Sequence, residues 1–563
     1  MPLWERRAWL ALLVVAGALR LFRLGDRPFH HDESIHANFA LQLANEGQYK
    51  YDPVYHGPVQ YYAVASAFRL HYAFWKAVDS LQRLAGGVGE ATARPTRASG
   101  SDFTARLPAA LGGVALCALA LLLRARWGPE VALVSGGLLA ISPSFLYYTR
   151  FCREDIWSLL GTAGTFLFFD AYLRSHRLRD LAWSAIAAAV AFASKENFYV
   201  LCALMVPSVL VAWAEAGRGF DGWNRLRRLV DFLEAHGAAI AGALCLFFIA
   251  SELLYTVLLI RPESGNPAFD AISYWYGQHK IQRVSGPRWY HLPRLAQYEF
   301  LVLAPAFVLI VRRWKTLGMP ERFLAGWGLS SLAMYAYLGE KTPWLMVHQV
   351  LPFVPLSAIA WVAIWTKGPR WRAVGVLAGL ATFVSALSLS FWLPALTPNS
   401  RKAESVIYVQ TCPEMLPLAE EILAHAKQGA VPAAIVAGEA GWPMTWYVRR
   451  APVNWEMPRG DLKPPIVVCD VAQAEAAAKV LGSEYQSTTV PFRAWWIPED
   501  SSSWSPLHPT PSELLRYLFT RRVWRGSLPE GANPIGSLSV TVFRRSAPVP
   551  APAPPPPAAP PSS

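Results

Sequence analysis

Five groups of ionisable residues interrupt an otherwise apolar chain. They are His30-His31-Asp32-Glu33, Tyr55-His56-Gly57-Pro58, Arg150 with Arg153-Glu154-Asp155, Lys195-Glu196-Asn197 and Glu340-Lys341-Thr342-Pro343-Trp344. Each falls in a loop or at the edge of an apolar run. Carboxylates such as Asp32, Glu33 and Asp155 can take a proton from a reacting hydroxyl. A guanidinium grips phosphate in two-pronged fashion, and an ammonium meets it as a point charge. Charge beside hydrocarbon is costly, so an ionisable cluster at a membrane face is functional by default.

Each group also has a plain structural reading. Asp32 can be the N-cap of a surface helix, with Ser34 nearby; if the segment is helical, Asp32 and His36 share a face. Arg150, Arg153, Glu154 and Asp155 can form a salt-bridged turn instead of an anion grip. Lys195 can be a snorkelling interfacial lysine instead of a phosphate partner. Lys341 precedes His348 by seven residues, which in a continuous helix is two turns, about 10 Å, on one face. The plain alternative there is a kinked helix with an anchoring lysine. His279 and His291, with Tyr274-Trp275-Tyr276, lie in a loop that can close over a substrate or simply be solvated. No pattern matches a strong metal signature such as H-E-x-x-H. A divalent ion held by Asp32, Glu33 and His31 stays open.

These residues need a membrane scaffold to position them. Of 563 residues, 53% are hydrophobic and 16% charged, against about 25% charged in a typical soluble domain. Mean hydropathy is +0.24. Trp, Tyr and Phe are abundant (24, 21 and 27), as aromatic belts at membrane interfaces require. The net charge of +13 lies largely in short loops and reads as a topology signal, so no nucleic-acid partner is expected. A span needs about 20 apolar residues. Eleven candidates occur near 6–24, 105–123, 129–148, 156–173, 180–195, 198–215, 237–260, 295–311, 322–339, 344–365 and 372–394. Arg6-Arg7 and the basic loops at 124–126, 176–179, 225–228, 312–315 and 367–372 then share one side, which the positive-inside rule makes cytoplasmic. The five groups share the other. The first apolar run ends in Gly25-Asp26-Arg27-Pro28 and not in a small-x-small cleavage site, so it reads as a retained span.

The expected organisation is a membrane domain over 1–395, with a long first external loop at 25–104, an extracytoplasmic α/β domain over 396–546, and a disordered Pro/Ala-rich tail at 547–563. Val59–Leu84 is apolar and aromatic and fits a helix lying on the outer surface. Gly86–Ser101 reads as a flexible link. In 400–546, short apolar runs (Val406–Val409, Ala433–Ala437, Ile466–Val468, Ser539–Phe543) alternate with helical patterns (Leu416–Ala426, Gln473–Val480, Ser512–Phe519). The aromatic stretch Gly441-Trp442-Pro443-Met444-Thr445-Trp446 reads as a packed turn or a sugar contact. Cys117, Cys202 and Cys245 lie in apolar runs and read as packing residues. Cys412 and Cys469 can pair in an extracytoplasmic domain.

The motifs together resemble the GT-C superfamily of membrane glycosyltransferases, which use polyprenyl-phosphate-linked sugars. An acidic pair just after the first span looks like Asp32-Glu33, and an aromatic, Arg-containing external turn ending in Asp looks like Thr149–Asp155. Protein O-mannosyltransferases and lipid A aminoarabinose transferases are similar in this respect. HHDESIHA, YDPVYHGP, SKEN and GEKTPWLMVH are most similar to the flippase activity-associated family of archaeal-type N-glycosylation, also found in bacteria. The resemblance covers roughly residues 1–395. It implies a polytopic α-helical fold and inverting transfer of a sugar from a polyprenyl-phosphate donor to an acceptor hydroxyl at the outer face. Asp32, Glu33 and Asp155 are then the catalytic candidates. Arg150, Arg153, Lys195, Lys341 and His348 are the candidates for the donor phosphate, and His56, Glu154 and Glu340 for acceptor or loop contacts. The implied partners are membrane lipid, the lipid-linked donor and a glycan, lipid or protein acceptor; the implied location is the plasma membrane, with the N-terminus cytoplasmic. Protein O-mannosyltransferases carry large lumenal inserts that this chain lacks, which argues against their particular substrates. The alternative from another class is a non-catalytic, lipid-binding component of a glycolipid flippase system.

Overall fold

Helices form at every one of the eleven apolar segments in the computed structural model, but they differ in length and continuity. The structure describes residues 1–49, 51–84, 97–213, 222–257, 259, 267–278, 286–393, 395–499 and 508–546. Among them, four helices are long and apolar enough to cross a membrane: Asp102–Trp127, Asp155–Ser175, Leu229–Tyr255 and Pro369–Trp392. The number rises to six if each of two bent pairs counts as one span. This is fewer than the eleven spans expected. The first helix, Leu3–Leu21, carries Glu5, Arg6, Arg7 and Arg20. Pro129–Ile141 is broken by Ser142-Pro143, and Leu178–Phe192 has only 15 residues. The bend of 57° between Pro343–Val350 and Phe353–Trp365 falls at Pro352, the kink that the prolines imply. His279, residues 85–96 of the expected link and the tail from 547 lie outside the described residues.

Contacts divide the chain into two units. The first comprises Met1–Pro413 and Ala494–Ser537, the second Glu414–Arg493 and Leu538–Ser563. Residues 396–413 are stitched into the first unit: Gln410 Nε2 donates to Pro28 O at 3.0 Å and Tyr148 Oη to Val406 O at 3.1 Å. The returning segment adds a buried Arg294–Glu499 pair at 3.0 Å and the buried rings of Trp496, Tyr517 and Trp524. The helix Pro511–Thr520 belongs there too.

The second unit has an α/β make-up, over a narrower range than the 396–546 expected. Ala434–Val436 runs parallel to both Val453–Asn454 and Ile466–Asp470, and the latter pairs antiparallel with Gly536–Arg545, Val468 opposite Val542. Its core gathers Met415, Leu418 and Ile422 from one helix against Val436, Ile466, Val468, Phe492, Val540 and Val542. Pro443, Met444 and Trp446 are buried, so the aromatic stretch at 441–446 is a packed element. Cys412 and Cys469 are both free thiols, and Cys202 and Cys245 are exposed on their helices and not packed as expected.

Three local features set up the candidate site. The helices Asp155–Ser175 and Leu178–Phe192 form a tight antiparallel hairpin. A Cβ on Gly161 would lie 2.6 Å from Ala187 O, and one on Gly164 2.9 Å from the Ala187 Cβ. Small residues of this kind let membrane helices approach closely. The hairpin returns the chain to its starting level, so Lys195 meets Asp155. Next, Gly57 N–H donates to Ser194 O and Val59 N–H to Ala193 O, both at 3.2 Å. A Cβ on Gly57 would sit 2.2 Å from Ala193 O, so only glycine permits this approach. Finally, the helix His31–Glu46 is capped by His30, whose Nδ1 accepts from Asp32 N, while the Glu33 carboxylate accepts from His30 N. That is a capping box, and it leaves the Asp32 carboxylate uncommitted to the cap.

Candidate functional site

Asp32, Arg153, Glu154, Asp155, Lys195 and His348 converge in one ion-pair network, joined by His36, His56 and Glu196. The Asp32 Oδ2 is paired with Arg153 Nη1. Arg153 also meets Glu154 at 3.2 Å and Asp155 at 3.3 Å, and its guanidinium lies 4.0 Å from the Trp344 ring centre. Lys195 Nζ donates to Glu154 at 2.9 Å and to Asp155 at 2.6 Å. His348 Nε2 lies 3.5 Å from Asp155. His36 and His56 flank Glu154 at 3.3 and 3.4 Å, and His56 Nδ1 also contacts Glu196. Four carboxylates thus face two fixed cations and three histidines.

Exposure separates the members. Asp32 retains 29% of its side-chain surface, whereas Arg153, Glu154, Asp155 and Lys195 are all buried. Burial, the largest single influence, would raise the Asp32 pKa, but Arg153 together with His30, His31 and His36 outweighs it and holds the carboxyl well below the usual range. It sits at a helix N-terminus, where the backbone dipole also favours negative charge. Burial opposes a charge on His56, yet Glu154 and Glu196 raise its pKa. His56 also adopts φ 66°, ψ −173°, a backbone region nearly confined to glycine. Strain of this kind persists only where the surroundings over-determine it. Here the determinants are the two glutamates, the Trp275 ring stacked at 5.3 Å and the neighbouring Gly57 contact.

Several expected site residues are placed elsewhere. Glu33 is fully buried and points away from Asp32. Arg106 holds it with Nε and Nη2 at 2.7 and 2.8 Å, and Cys152 N donates to it at 2.8 Å. Arg106 also donates to the carbonyls of Leu24, Arg27 and Pro28, so this pair braces the first loop. Arg150 turns to the open carbonyls at the end of the first helix: Leu19, Arg20 and Phe22 at 2.8–2.9 Å. A cation there satisfies orphan acceptors. Lys341 does not share a helix face with His348. The helix begins only at Pro343, and Lys341 Nζ reaches back to the carbonyls of Tyr335, Ala336 and Leu338. Burial, reinforced by the charge of Arg288, lowers its pKa to about 8. Glu340 is half-buried beside it. His291 is buried and contacts Thr342 O at 3.0 Å through Nε2.

The residues considered for a divalent ion do not fit one. Both Glu33 oxygens are engaged by Arg106, Asp32 is paired with Arg153, and His31 is half-buried with its carbonyl accepting from Ser34. Among the described residues no three of His, Cys, Asp or Glu are grouped to hold a metal. Arg106 was absent from the sequence reading. Its signal was available: an arginine inside an apolar helix demands a partner.

Comparison with known proteins bears on this geometry. Residues 98–220, which include the Arg153-Glu154-Asp155 turn and Lys195, match the family described as dolichyl-phosphate-mannose-protein mannosyltransferase. No curated protein sequence matches the chain. Among solved structures, ArnT from Cupriavidus metallidurans bound to undecaprenyl phosphate is similar at 15% identity, covering 95% of this chain and 98% of that one, TM-score 0.54. The archaeal oligosaccharyltransferase AglB from Archaeoglobus fulgidus, in complex with an inhibitory peptide and a dolichol-phosphate, is similar at 14% identity, covering 86% and 69%, TM-score 0.51. An Archaeoglobus fulgidus oligosaccharyltransferase in the apo form gives 12% identity, 96% and 88% coverage and TM-score 0.52. At 12–15% identity the likeness to these structures is one of fold, and the family match covers residues 98–220; with its long apolar helices the chain reads as an integral membrane protein. The sequence resemblance holds at that level; the narrower likeness to the flippase activity-associated family remains an expectation from motifs.

Proposed function

We propose that the protein transfers a sugar, with inversion, from a polyprenyl-phosphate donor to an acceptor hydroxyl at the outer face of the plasma membrane, with the N-terminus cytoplasmic. The eleven helical segments, several short or broken, together form the membrane domain in this reading. The observation that carries it is the convergence of Asp32 with the Arg153-Glu154-Asp155 turn and Lys195, with Asp32 left open to solvent while Glu33, Glu154 and Asp155 are buried.

The acceptor oxygen attacks the anomeric carbon, its proton passes to Asp32, and the sugar–phosphate C–O bond breaks with the electron pair leaving on the phosphate. The leaving group needs charge neutralisation more than protonation. Paired with Arg153, Asp32 stays ionised but is a weak base. A donor phosphate that draws Arg153 toward itself releases Asp32 and raises its basicity, so donor binding and base activation are linked. Lys195 and Asp155 hold the turn under Arg153. Lys341, beside Arg288, is a second candidate cation for the phosphate, and His348 positions Asp155. The non-catalytic reading has less support, because the matched family is one of transferases.

The test uses the purified full chain in lipid nanodiscs with a polyprenyl-phosphate mannose donor as first probe. Asp32→Asn should abolish sugar transfer while leaving donor binding intact. Unchanged transfer by that variant overturns the assignment of the base.

A further inference from the structure

Beside the ion-pair network the first external loop encloses a cavity of about 360 Å³, within the range of small-ligand sites. Its walls are the rings of Phe39, Tyr55 and Tyr61, with Phe39 and Tyr55 edge to face at 5.2 Å. Gln42, Gln48 and Asp52 supply polar groups to the lining, and His56 joins the cavity to Glu154 and Glu196. The Tyr49 ring, also in the lining, packs on the Tyr61 ring at 5.5 Å.

This mixture has a specific complement. Aromatic faces accept the C–H face of a pyranose, while amide, carboxylate and phenol groups match its ring of hydroxyls. A lipid chain would leave the polar groups unpaired, and a phosphate would meet Asp52. Among the described residues the lining comes from residues 39–61, none of them in a helix long and apolar enough to span a membrane. That location suits an acceptor arriving from the aqueous side and not a membrane-bound donor. Phe39 follows Asp32 by seven residues on the same helix, two turns or about 10 Å.

We propose that this cavity is an acceptor subsite for a pyranose ring, adjoining and distinct from the position of the reacting hydroxyl, so that the acceptor is a glycan. The proposal rests on the glycosyltransferase reading above and names its acceptor class. His56 is then a positioning residue, its strained backbone linking the occupied cavity to the Glu154 carboxylate.

The experiment is saturation-transfer NMR on the full chain in nanodiscs, with methyl α-D-mannopyranoside, methyl N-acetyl-β-D-glucosaminide and an uncharged Ser/Thr-containing tripeptide as separate probes. At least one pyranoside should receive saturation on its ring C–H protons. Tyr55→Phe and Gln42→Leu, each removing one polar group of the lining, should weaken that binding about fivefold with the fold intact by circular dichroism. Saturation of the tripeptide alone, of no probe, or of pyranosides equally in both variants overturns the subsite. Asp32→Asn should still bind the pyranoside. Transfer that survives in that variant sinks the base assignment and leaves the subsite standing.

Discussion

Asp32 and Glu33 are neighbours on one helix, yet they sit in two regions of opposite character. Around Glu33, both carboxylate oxygens are saturated by Arg106, His30 N and Cys152 N, and nothing reaches solvent. Around Asp32, one guanidinium is shared among three carboxylates and the side chain keeps 29% of its surface. Successive helix residues point about 100° apart, so one of the pair enters the wall and the other the mouth. A fully satisfied buried pair fixes a loop. An over-subscribed cation beside an exposed carboxylate is an arrangement that an incoming anion can change.

The largest effect is expected at the open region. Asp32→Asn should lower transfer on the order of 10² to 10⁴-fold, the typical loss when a general base is removed, with thermal stability unchanged. Loss of stability in parallel would place Asp32 in the brace with Glu33 and end the contrast.

Glu33→Gln should do the reverse. Breaking one side of a buried ion pair costs about 3 to 5 kcal/mol, so thermal melting in detergent should drop sharply, while the folded fraction keeps its activity per molecule. A stable, inactive Glu33→Gln protein would show that Glu33 also acts in the reaction.

Gly57→Ala tests the joint between the two motifs. The new Cβ meets Ala193 O at 2.2 Å, and overpacking of this kind costs about 1 to 3 kcal/mol. The His56 backbone should shift with it, so transfer should fall more than the melting temperature implies. A variant with normal activity would mean that the contact at Ser194 is incidental.

The smallest effect is a pH dependence at Lys341. Its folded pKa is lowered to about 8, first by burial and then by Arg288. The ammonium is therefore charged below that pH and neutral above it. If it meets the donor phosphate, donor KM should be flat up to about pH 8 and rise beyond it. Lys341→Arg, charged throughout, should remove that rise. A donor KM that climbs identically in both proteins leaves Lys341 as a cap for the carbonyls of Tyr335, Ala336 and Leu338.

How much of this was legible beforehand depended on the kind of information needed. Apolar length and composition located the four long apolar helices and both bent pairs among the described residues, because hydrocarbon burial acts on each segment by itself; the remaining five expected spans are shorter or less apolar helices. Neither property revealed the breaks at Ser142-Pro143 or between Tyr298 and Phe300. Those breaks are held by Glu299, which accepts from Ser142 Oγ and Ser144 N 157 and 155 residues away. Residues 400–546 read as one α/β domain, but the returning segment Ala494–Ser537 clusters with the membrane helices. Its strand and helix patterns record burial without naming the partner.

By itself the sequence determined that charges at five motifs must lie against a membrane domain, and that Asp32, Arg153, Asp155 and Lys195 were of the right type to act together. Residue type and the cost of charge beside hydrocarbon are properties of the chain alone. Tertiary structure decided which of those charges meet. The hairpin at 155–192 returned Lys195 to Asp155, Gly57 let His56 reach Glu154, and Arg106 took Glu33 out of the site. Pairing depends on distances between segments far apart in the chain. Such distances are fixed by close helix packing, and by which buried acceptor each cation reaches first.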